Sequence, residues 1–166
     1  FCFCRDVTIE RTFEHQIWIS ANTDALTGLY NRRFFYEYMN ENRKENQLSL
    51  LYVDLDDFKK VNDAHGHHIG DGALELVARL MREAFPGDFI VRLGGDEFLI
   101  CLVGERSLAF LEEKANRLLQ SLLEAFQVSD YLRVMSASIG IASSASGSER
   151  EFWQTHPVDS RGLLPH

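Results

Sequence analysis

The chain has 166 residues, 45% of them hydrophobic, and a formal net charge of −8 at pH 7. This length and apolar content predict one globular domain with a buried core and room for a short appendage. The negative charge disfavours nonspecific nucleic-acid binding, and no apolar run approaches the ~20 residues of a membrane-spanning helix. We therefore expect this segment to contact neither nucleic acid nor a membrane. No signal-peptide pattern is present, which predicts a cytoplasmic location, with attachment of the parent protein to a membrane outside this segment left open.

The first 21 residues look like the end of a preceding domain followed by a linker. Alternation over residues 1–8 predicts a last strand of that domain, and the start at Phe1 predicts a segment of a longer protein. The stretch Arg5–Arg11 resembles the exit of PAS sensor domains, so an upstream sensor domain is an expected partner. A helical stripe follows, with apolar residues recurring every four positions at Ile9, Phe13 and Ile17. The stripe fits either a helix packed on its own domain or a dimer-forming coiled-coil linker.

Apolar periodicity and turn residues predict alternating helices and strands over the rest of the chain. Predicted helices cover 31–43, 56–63, 71–85 and 107–126, and predicted strands cover 48–54 and 132–142. Apolar runs on both sides of Gly94-Gly95 predict a β-hairpin. The residues spaced for burial on the last helix are Leu108, Leu111, Ala115, Leu118, Leu122 and Phe126. A hairpin within this alternation favours an α+β fold in which helices layer against a sheet.

Acidic residues follow two of these predicted strands. Asp54, Asp56 and Asp57 end the first strand, and Asp96 and Glu97 follow the glycine pair. Carboxylates this close repel one another unless a hard cation lies among them, and Mg²⁺ with a polyphosphate is the expected chemistry. If the two strands are neighbours in one sheet, Asp54 meets Asp96. The alternative is a solvated acidic rim without a cation.

Four motifs taken together resemble those of a GGDEF domain. They are Asp24–Arg33, Asp54–Asp63, Gly66–Asp71 and Gly94–Phe98. The resemblance covers about residues 21–142, which divides the chain into a sensor end and linker (1–21), a GGDEF domain (22–142) and a tail (143–166). GGDEF domains are diguanylate cyclases. The resemblance therefore implies their palm-like nucleotidyl cyclase fold, which is α+β with a central, mostly antiparallel sheet flanked by helices.

The resemblance also implies a site for Mg²⁺ or Mn²⁺ at the two acidic clusters. Its ligands would be Asp54, Asp96 and the Leu55 carbonyl. Glu97 would serve a second metal or help the attacking hydroxyl to lose its proton. Asp96 and Glu97 are then the catalytic acids, and Lys59 adds a positive charge for the β- and γ-phosphates.

The guanine of GTP is implied to bind at Asn62 and Asp71. An aspartate accepts from the guanine N1 and N2 donors and an asparagine pairs with O6 or N3, so adenine is rejected. The alternative for Asp71 is that it only caps the predicted helix that begins there. His67 would line the nucleotide pocket, although the cluster His65, His67 and His68 also admits a zinc site.

The phosphates of GTP are implied to bind at two backbone segments. The N–H groups of the turn Asp57–Phe58–Lys59 would face the β- and γ-phosphates at a helix N-terminus. Gly94 and Gly95 would let a ligand approach the backbone closely.

The implied activity is condensation of two GTP into cyclic di-GMP and two pyrophosphates across a homodimer of GGDEF domains. The alternative is a weak or inactive domain that acts as a GTP-binding or partner-binding regulatory module.

The sequence departs from the family pattern at two places, and one set of ion pairs is expected. Residues 143–166 contain no counterpart of the family helix whose Lys and Arg contact the triphosphate; truncation, a reading-frame change and a divergent end all remain open, and weak activity is predicted. Phe85 replaces the arginine of the family's inhibitory Arg-x-x-Asp element, so no product inhibition is expected there. Arg32 and Arg33 are expected to form ion pairs that include Asp24.

Overall fold

The structure is a computed structural model that describes residues 3–42, 47–104 and 106–143. For residues 3–8 and 42 it describes the backbone only. The tail predicted over 143–166 lies, except for Ser143, outside the described residues. Expectations that depend on that tail therefore stay predictions.

Helices and a single sheet alternate along the chain. The helices are α1 (Phe3–Asn22), α2 (Arg32–Asn42), α3 (Phe58–His65), α4 (His67–Ala84) and α5 (Leu108–Val128). The strands are β1 (Tyr30–Asn31), β2 (Leu48–Asp56), β3 (Phe89–Gly94), β4 (Glu97–Val103) and β5 (Ser136–Ser143). The strand order is β1-β3-β4-β2-β5, in which only the β1–β3 pair is parallel. The α+β class and the mostly antiparallel sheet are confirmed.

Two helices begin at polar side chains that the sequence singled out. The Asn31 carboxamide oxygen accepts from the Phe34 N–H at 3.0 Å, and the Ser107 hydroxyl accepts from the Phe110 N–H at 3.2 Å. Each satisfies a donor that the first helical turn leaves unpaired. These caps fix where α2 and α5 start relative to the sheet.

Side chains alternate between the two faces of the sheet and build two cores. On one face Val53 and Phe98 pack with residues from α3, α4 and α5. On the other face Leu50, Leu99 and the α2 residue Phe35 form a smaller core. The candidate site lies on this second face. Strands β2 and β4 extend past the α2 core, and every second side chain of that extension points to the same face.

Several boundaries differ from those predicted. Residues 3–8 are the first turns of α1, not a strand, because a helix satisfies its backbone hydrogen bonds internally whereas a strand needs a partner. Helix α4 begins at His67, four positions before the predicted start. Residues 132–135 form turns, so β5 begins at Ser136.

The predicted burial of α5 is right except at its start. Leu108, in the first turn of α5, is 55% exposed, whereas the five later positions of the stripe are buried. Among the helices that the structure describes, none is long and apolar enough to cross a membrane.

Candidate active site

The two acidic clusters meet because β2 and β4 are adjacent. Asp54 of β2 lies directly opposite Glu97 of β4 in the antiparallel register. The Leu55 N–H donates to the Asp96 carbonyl at 3.2 Å, so the turn that carries Asp96 is tied to the end of β2. The expectation that Asp54 would come next to Asp96 depended on this pairing, and the pairing is present.

Electrostatics at this edge disfavour the ionised acids. Burial raises the pKa of Asp54, and the neighbouring charges of Asp96, Glu97 and Asp56 raise it further. The pKa of Asp96 is also raised, first by burial and then by Glu97 and Asp56, although a backbone hydrogen bond and the Arg92 charge oppose the shift. A cation placed among these carboxylates would reverse the repulsion, so the cluster is built to favour one.

The donor set at this edge suits a hard divalent cation. Carboxylate and carbonyl oxygens are the ligands that Mg²⁺ and Mn²⁺ prefer, and Asp54, Asp96 and the Leu55 carbonyl lie at one strand end. In the described part of the chain, no group of three or more His, Cys, Asp or Glu side chains is arranged around one point. A site here would thus rest on two carboxylates, a carbonyl and oxygens from a ligand. His65, one of the three histidines that admitted zinc, packs edge-on against Tyr131 with ring centroids 5.1 Å apart.

A third acid of the cluster is held by the neighbouring strand. Asp56 Oδ2 accepts from the Ser136 hydroxyl at 3.1 Å and from the Ser138 hydroxyl at 2.8 Å. Ser136 lies opposite Asp56 in the β2–β5 register, so all three side chains share one face. Two donors on one oxygen fix the direction of this carboxylate. The sequence offered one signal for the contact, namely the Ser-x-Ser spacing on a strand.

The candidate guanine residue Asn62 has an unsatisfied atom. Its Oδ1 is buried and has no hydrogen-bond partner among the described residues. A Cβ added to Gly70 would lie 1.8 Å from that oxygen, so only glycine leaves room for the Asn62 side chain. A buried acceptor without a partner is costly, which makes it a candidate to receive a ligand donor.

The remaining base-site residues lie near the start of α4. Asp71 is exposed and lies within α4, one turn beyond its first residue. The idea that Asp71 caps this helix is therefore wrong, because the N-cap is Gly66. His67 is the first residue of α4 and is exposed.

The candidate phosphate segment is the start of α3. Asp57 adopts a left-handed conformation with φ 63° and precedes the first helical residue, Phe58. The Asp57 carboxylate forms an ion pair with Lys60 at 2.9 Å, while Lys59 is exposed. The first N–H groups of a helix have no intrahelical acceptor, so they are available to an anion.

The glycine turn is clamped by an arginine. Gly94 and Gly95 have φ values of 155° and 48°, and Gly95 lies in the left-handed region. Arg92 donates to the Gly95 carbonyl from Nε at 3.1 Å and from Nη2 at 2.9 Å. Its Nη1 lies 3.1 Å from both carboxylate oxygens of Asp24. No residue spacing in the sequence predicts this contact.

The expected pairing of Asp24 with Arg32 or Arg33 is wrong. Asp24 pairs with Arg92 because the loop after α1 lies beside the hairpin. Arg32 Nε instead donates to the Leu93 carbonyl at 2.9 Å, and Arg33 forms an exposed ion pair with Glu37 at 3.2 Å.

The residue that replaces the inhibitory arginine belongs to the core. Phe85 is 1% exposed, and the Lys114 ammonium lies 5.4 Å from the centre of its ring. Burial raises the pKa of the nearby Asp88, while Arg106 and Lys114 lower it. At this position the chain therefore has Asp88 next to the buried ring of Phe85, where the family's inhibitory element has an aspartate and an arginine.

Comparison with known proteins decides the family. The model of the family described as diguanylate cyclase, GGDEF domain, matches residues 21–156. The chain belongs to the GGDEF family. The palm-like cyclase fold is supported by a crystal structure of the coiled coil and GGDEF domain of DgcB from Caulobacter crescentus in complex with c-di-GMP. That structure matches with a TM-score of 0.70 and 27% identity over 88% of this chain and 85% of that one.

Curated GGDEF relatives carry different activities in their names. Cyclic di-GMP phosphodiesterase PdeR of Escherichia coli K12 is 36% identical over 169 residues, which cover 99% of this chain and 24% of PdeR. Diguanylate cyclase DgcM of the same strain is 38% identical over 107 residues, which cover 61% of this chain and 26% of DgcM. The chain thus spans about a quarter of the length of these two relatives.

Proposed function

We propose that this GGDEF domain is a diguanylate cyclase that condenses two GTP into cyclic di-GMP and two pyrophosphates. The observation that carries the proposal is the β2–β4 register, which sets Asp54 opposite Glu97 and ties Leu55 to Asp96. Acids converge at this strand end, and their mutual repulsion, which raises the pKa values of Asp54 and Asp96, would be relieved by a bound divalent cation.

Asp54, Asp96 and the Leu55 carbonyl would hold Mg²⁺ or Mn²⁺, with Glu97 beside them. A bound cation would offset the charge of the triphosphate and polarise the reacting phosphate. Glu97 is suited to accept the proton of the attacking hydroxyl or to serve a second cation. Lys59 would add a positive charge near the β- and γ-phosphates, next to the free N–H groups that begin α3.

Recognition of the base is assigned to the α3–α4 segment. The unsatisfied Oδ1 of Asn62 would accept from a guanine donor, and the exposed Asp71 carboxylate would accept from N1 and N2. Adenine would leave these groups unpaired. His67, the first residue of α4, would line the pocket. Gly94 and Gly95 have no side chains, so they would leave the backbone of their turn open to the phosphates.

The reaction needs two domains, because each holds one GTP. The 3′-hydroxyl oxygen of each nucleotide loses its proton and forms a bond to the α-phosphorus of the other. At each α-phosphorus the bond to the bridging oxygen breaks, and one pyrophosphate leaves with the electron pair, so that two bonds form, two break and two pyrophosphates are released. A second copy of the chain is therefore the required partner.

The α1 residues Ile9, Phe13 and Ile17 are 53%, 61% and 65% exposed, which supports the linker interpretation of that stripe. An upstream sensor domain stays a prediction.

Incubation of the purified chain with GTP and Mg²⁺, followed by mass identification of the product, tests the proposal. Cyclic di-GMP should form from GTP, should not form when ATP replaces it, and should disappear in Asp96→Ala. If the wild-type chain binds Mg-GTP and releases no cyclic product, the cyclase assignment is wrong.

That second result would favour a GTP-binding or partner-binding regulatory module. The observation behind this alternative is that PdeR, named a phosphodiesterase, aligns over 99% of this chain at 36% identity. The experiment separates the two functions, because only the cyclase needs turnover of GTP.

A further inference from the structure

Tyr52 lies one row behind the acidic edge of the sheet. It precedes Asp54 by two positions on β2, so both side chains share one face. Its register partner on β4 is Leu99, and Glu97 is the next residue of β4 on that face. Diagonal neighbours of this kind are within reach of a long aromatic side chain.

The Tyr52 hydroxyl is hydrogen-bonded to the Glu97 carboxylate. Tyr52 is half-buried, and burial raises its pKa above the ordinary tyrosine value, with the Glu97 contact adding to the shift. An ionised carboxylate can only accept, so the phenolic hydroxyl of Tyr52 is the donor in this bond.

Tyr36 of α2 belongs to the same core as Tyr52 and is 5% exposed. Burial raises the pKa of Tyr36 to about 12, and the negative charge of Glu97 adds to the shift while Arg32 opposes it. The charge of Glu97 therefore acts on tyrosines of two elements, and the hydrogen bond is with Tyr52.

We propose that Tyr52 is a positioning residue that orients the Glu97 carboxylate for its part in the cyclase reaction. The proposal rests on the proposed function, because it assigns a supporting role within the same site. Hydrogen bonds to a metal-binding or catalytic carboxylate typically contribute about 10- to 100-fold to affinity or activity. Tyr52 would act through Glu97, without touching the nucleotide.

The test is Tyr52→Phe, which keeps the ring and removes only the hydroxyl, with Tyr131→Phe as the matched control at an exposed ring. Tyr52→Phe should lower kcat about tenfold and leave the KM for GTP within about twofold, because the base and phosphate contacts are elsewhere. Mn²⁺ affinity, followed by electron paramagnetic resonance with a non-hydrolysable GTP analogue, should fall about tenfold. Tyr131→Phe should change neither quantity.

A double-mutant cycle with Glu97→Gln separates positioning from packing. If Tyr52 acts through Glu97, Tyr52→Phe should add nothing to the loss of Mn²⁺ affinity already caused by Glu97→Gln. Additive losses, or an unchanged kcat and Mn²⁺ affinity in Tyr52→Phe, would overturn the proposal. A wild-type chain without turnover would count against the cyclase assignment alone, because the Mn²⁺ cycle still decides the role of Tyr52.

Discussion

The Arg92 guanidinium joins the Asp24 carboxylate to the Gly95 carbonyl. Both side chains are largely buried, with 15% and 22% of Arg92 and Asp24 exposed. Asp24 also accepts from the Thr27 N–H at 2.9 Å and from the Thr27 hydroxyl at 2.7 Å. The loop after α1 and the turn before Asp96 and Glu97 are therefore one hydrogen-bonded unit.

Asp24→Asn should lower the free energy of unfolding by about 1–3 kcal/mol at pH 7, because it removes charge-assisted bonds to a largely buried partner. Burial raises the pKa of Asp24, but the Thr27 hydrogen bonds and Arg92 outweigh it, so the folded-state pKa is lowered. The stabilisation is then present above the unfolded pKa of about 3.9 and is lost as pH falls through the lower folded value. Urea unfolding at several pH values measures this.

The control for that experiment is Asp130→Asn, since Asp130 pairs with Arg133 at 3.0 Å but is 83% exposed. Screening by water should make this change silent. A constant difference between Asp24→Asn and the parent chain from pH 7 to pH 2 would contradict the ionic origin of the effect.

Asp54→Asn should raise the melting temperature of the metal-free chain at neutral pH. The folded-state pKa of Asp54 is raised, so the ionised carboxylate costs stability above the unfolded pKa, and this cost disappears as pH falls below about 3.9. Mg-GTP should raise the melting temperature of the parent chain and not of the mutant.

Thermal melts at pH 7 and pH 3, with and without Mg-GTP, measure both effects. Asp63→Asn removes an exposed acid of α3 and serves as the control. If Mg-GTP stabilises Asp54→Asn as strongly as the parent chain, Asp54 is not part of the cation site.

Gly70→Ala should weaken GTP binding without altering any residue assigned to contact the base. The new Cβ would lie 1.8 Å from Asn62 Oδ1, so the Asn62 side chain must move away from its buried position. We expect GTP affinity to fall about tenfold and the preference over ATP to shrink, since one buried hydrogen bond contributes about 1–3 kcal/mol. Calorimetric titration with both nucleotides is the measurement.

Gly72→Ala is the matched control on the same helix, because a Cβ there would meet no atom within 4 Å. It should stabilise α4 by about 0.5–1 kcal/mol through helix propensity and leave GTP affinity unchanged. Equal affinities for GTP and ATP in the parent chain would remove the assignment of Asn62 and Asp71 to the base.

Cyclic di-GMP should not inhibit the chain at the segment ending in Asp88. Phe85 is buried and offers no bidentate donor where the family's inhibitory element has arginine. Turnover measured against added product should give the same curve for the parent chain and for Asp88→Ala. A micromolar complex whose chemical-shift changes centre on Asp88 would show the opposite.

The meeting of Asp54 with Asp96 was predictable from sequence, because each follows an apolar run long enough to be a core strand. The Asp24–Arg92 contact was not, since 68 residues separate its partners and the motif that contains Asp24 does not indicate its partner. The burial of Asn62 against Gly70 likewise depends on how α3 folds back on α4. The first residues of α1 misled because alternation over eight positions is too short to separate a strand from a helix.

The short parallel pair β1–β3 has a mechanical consequence. Asn31 is in register with Arg92, and its side-chain amide donates to the Ala21 carbonyl at 2.8 Å, close to the end of α1. A twist or axial slide of α1 would pull on this amide and, through two paired residues, on the strand that enters the Gly94-Gly95 turn. The end of α1 is thus linked through Asn31 to the strand that leads to Asp96, and a substitution that removes the Asn31 amide should weaken this link.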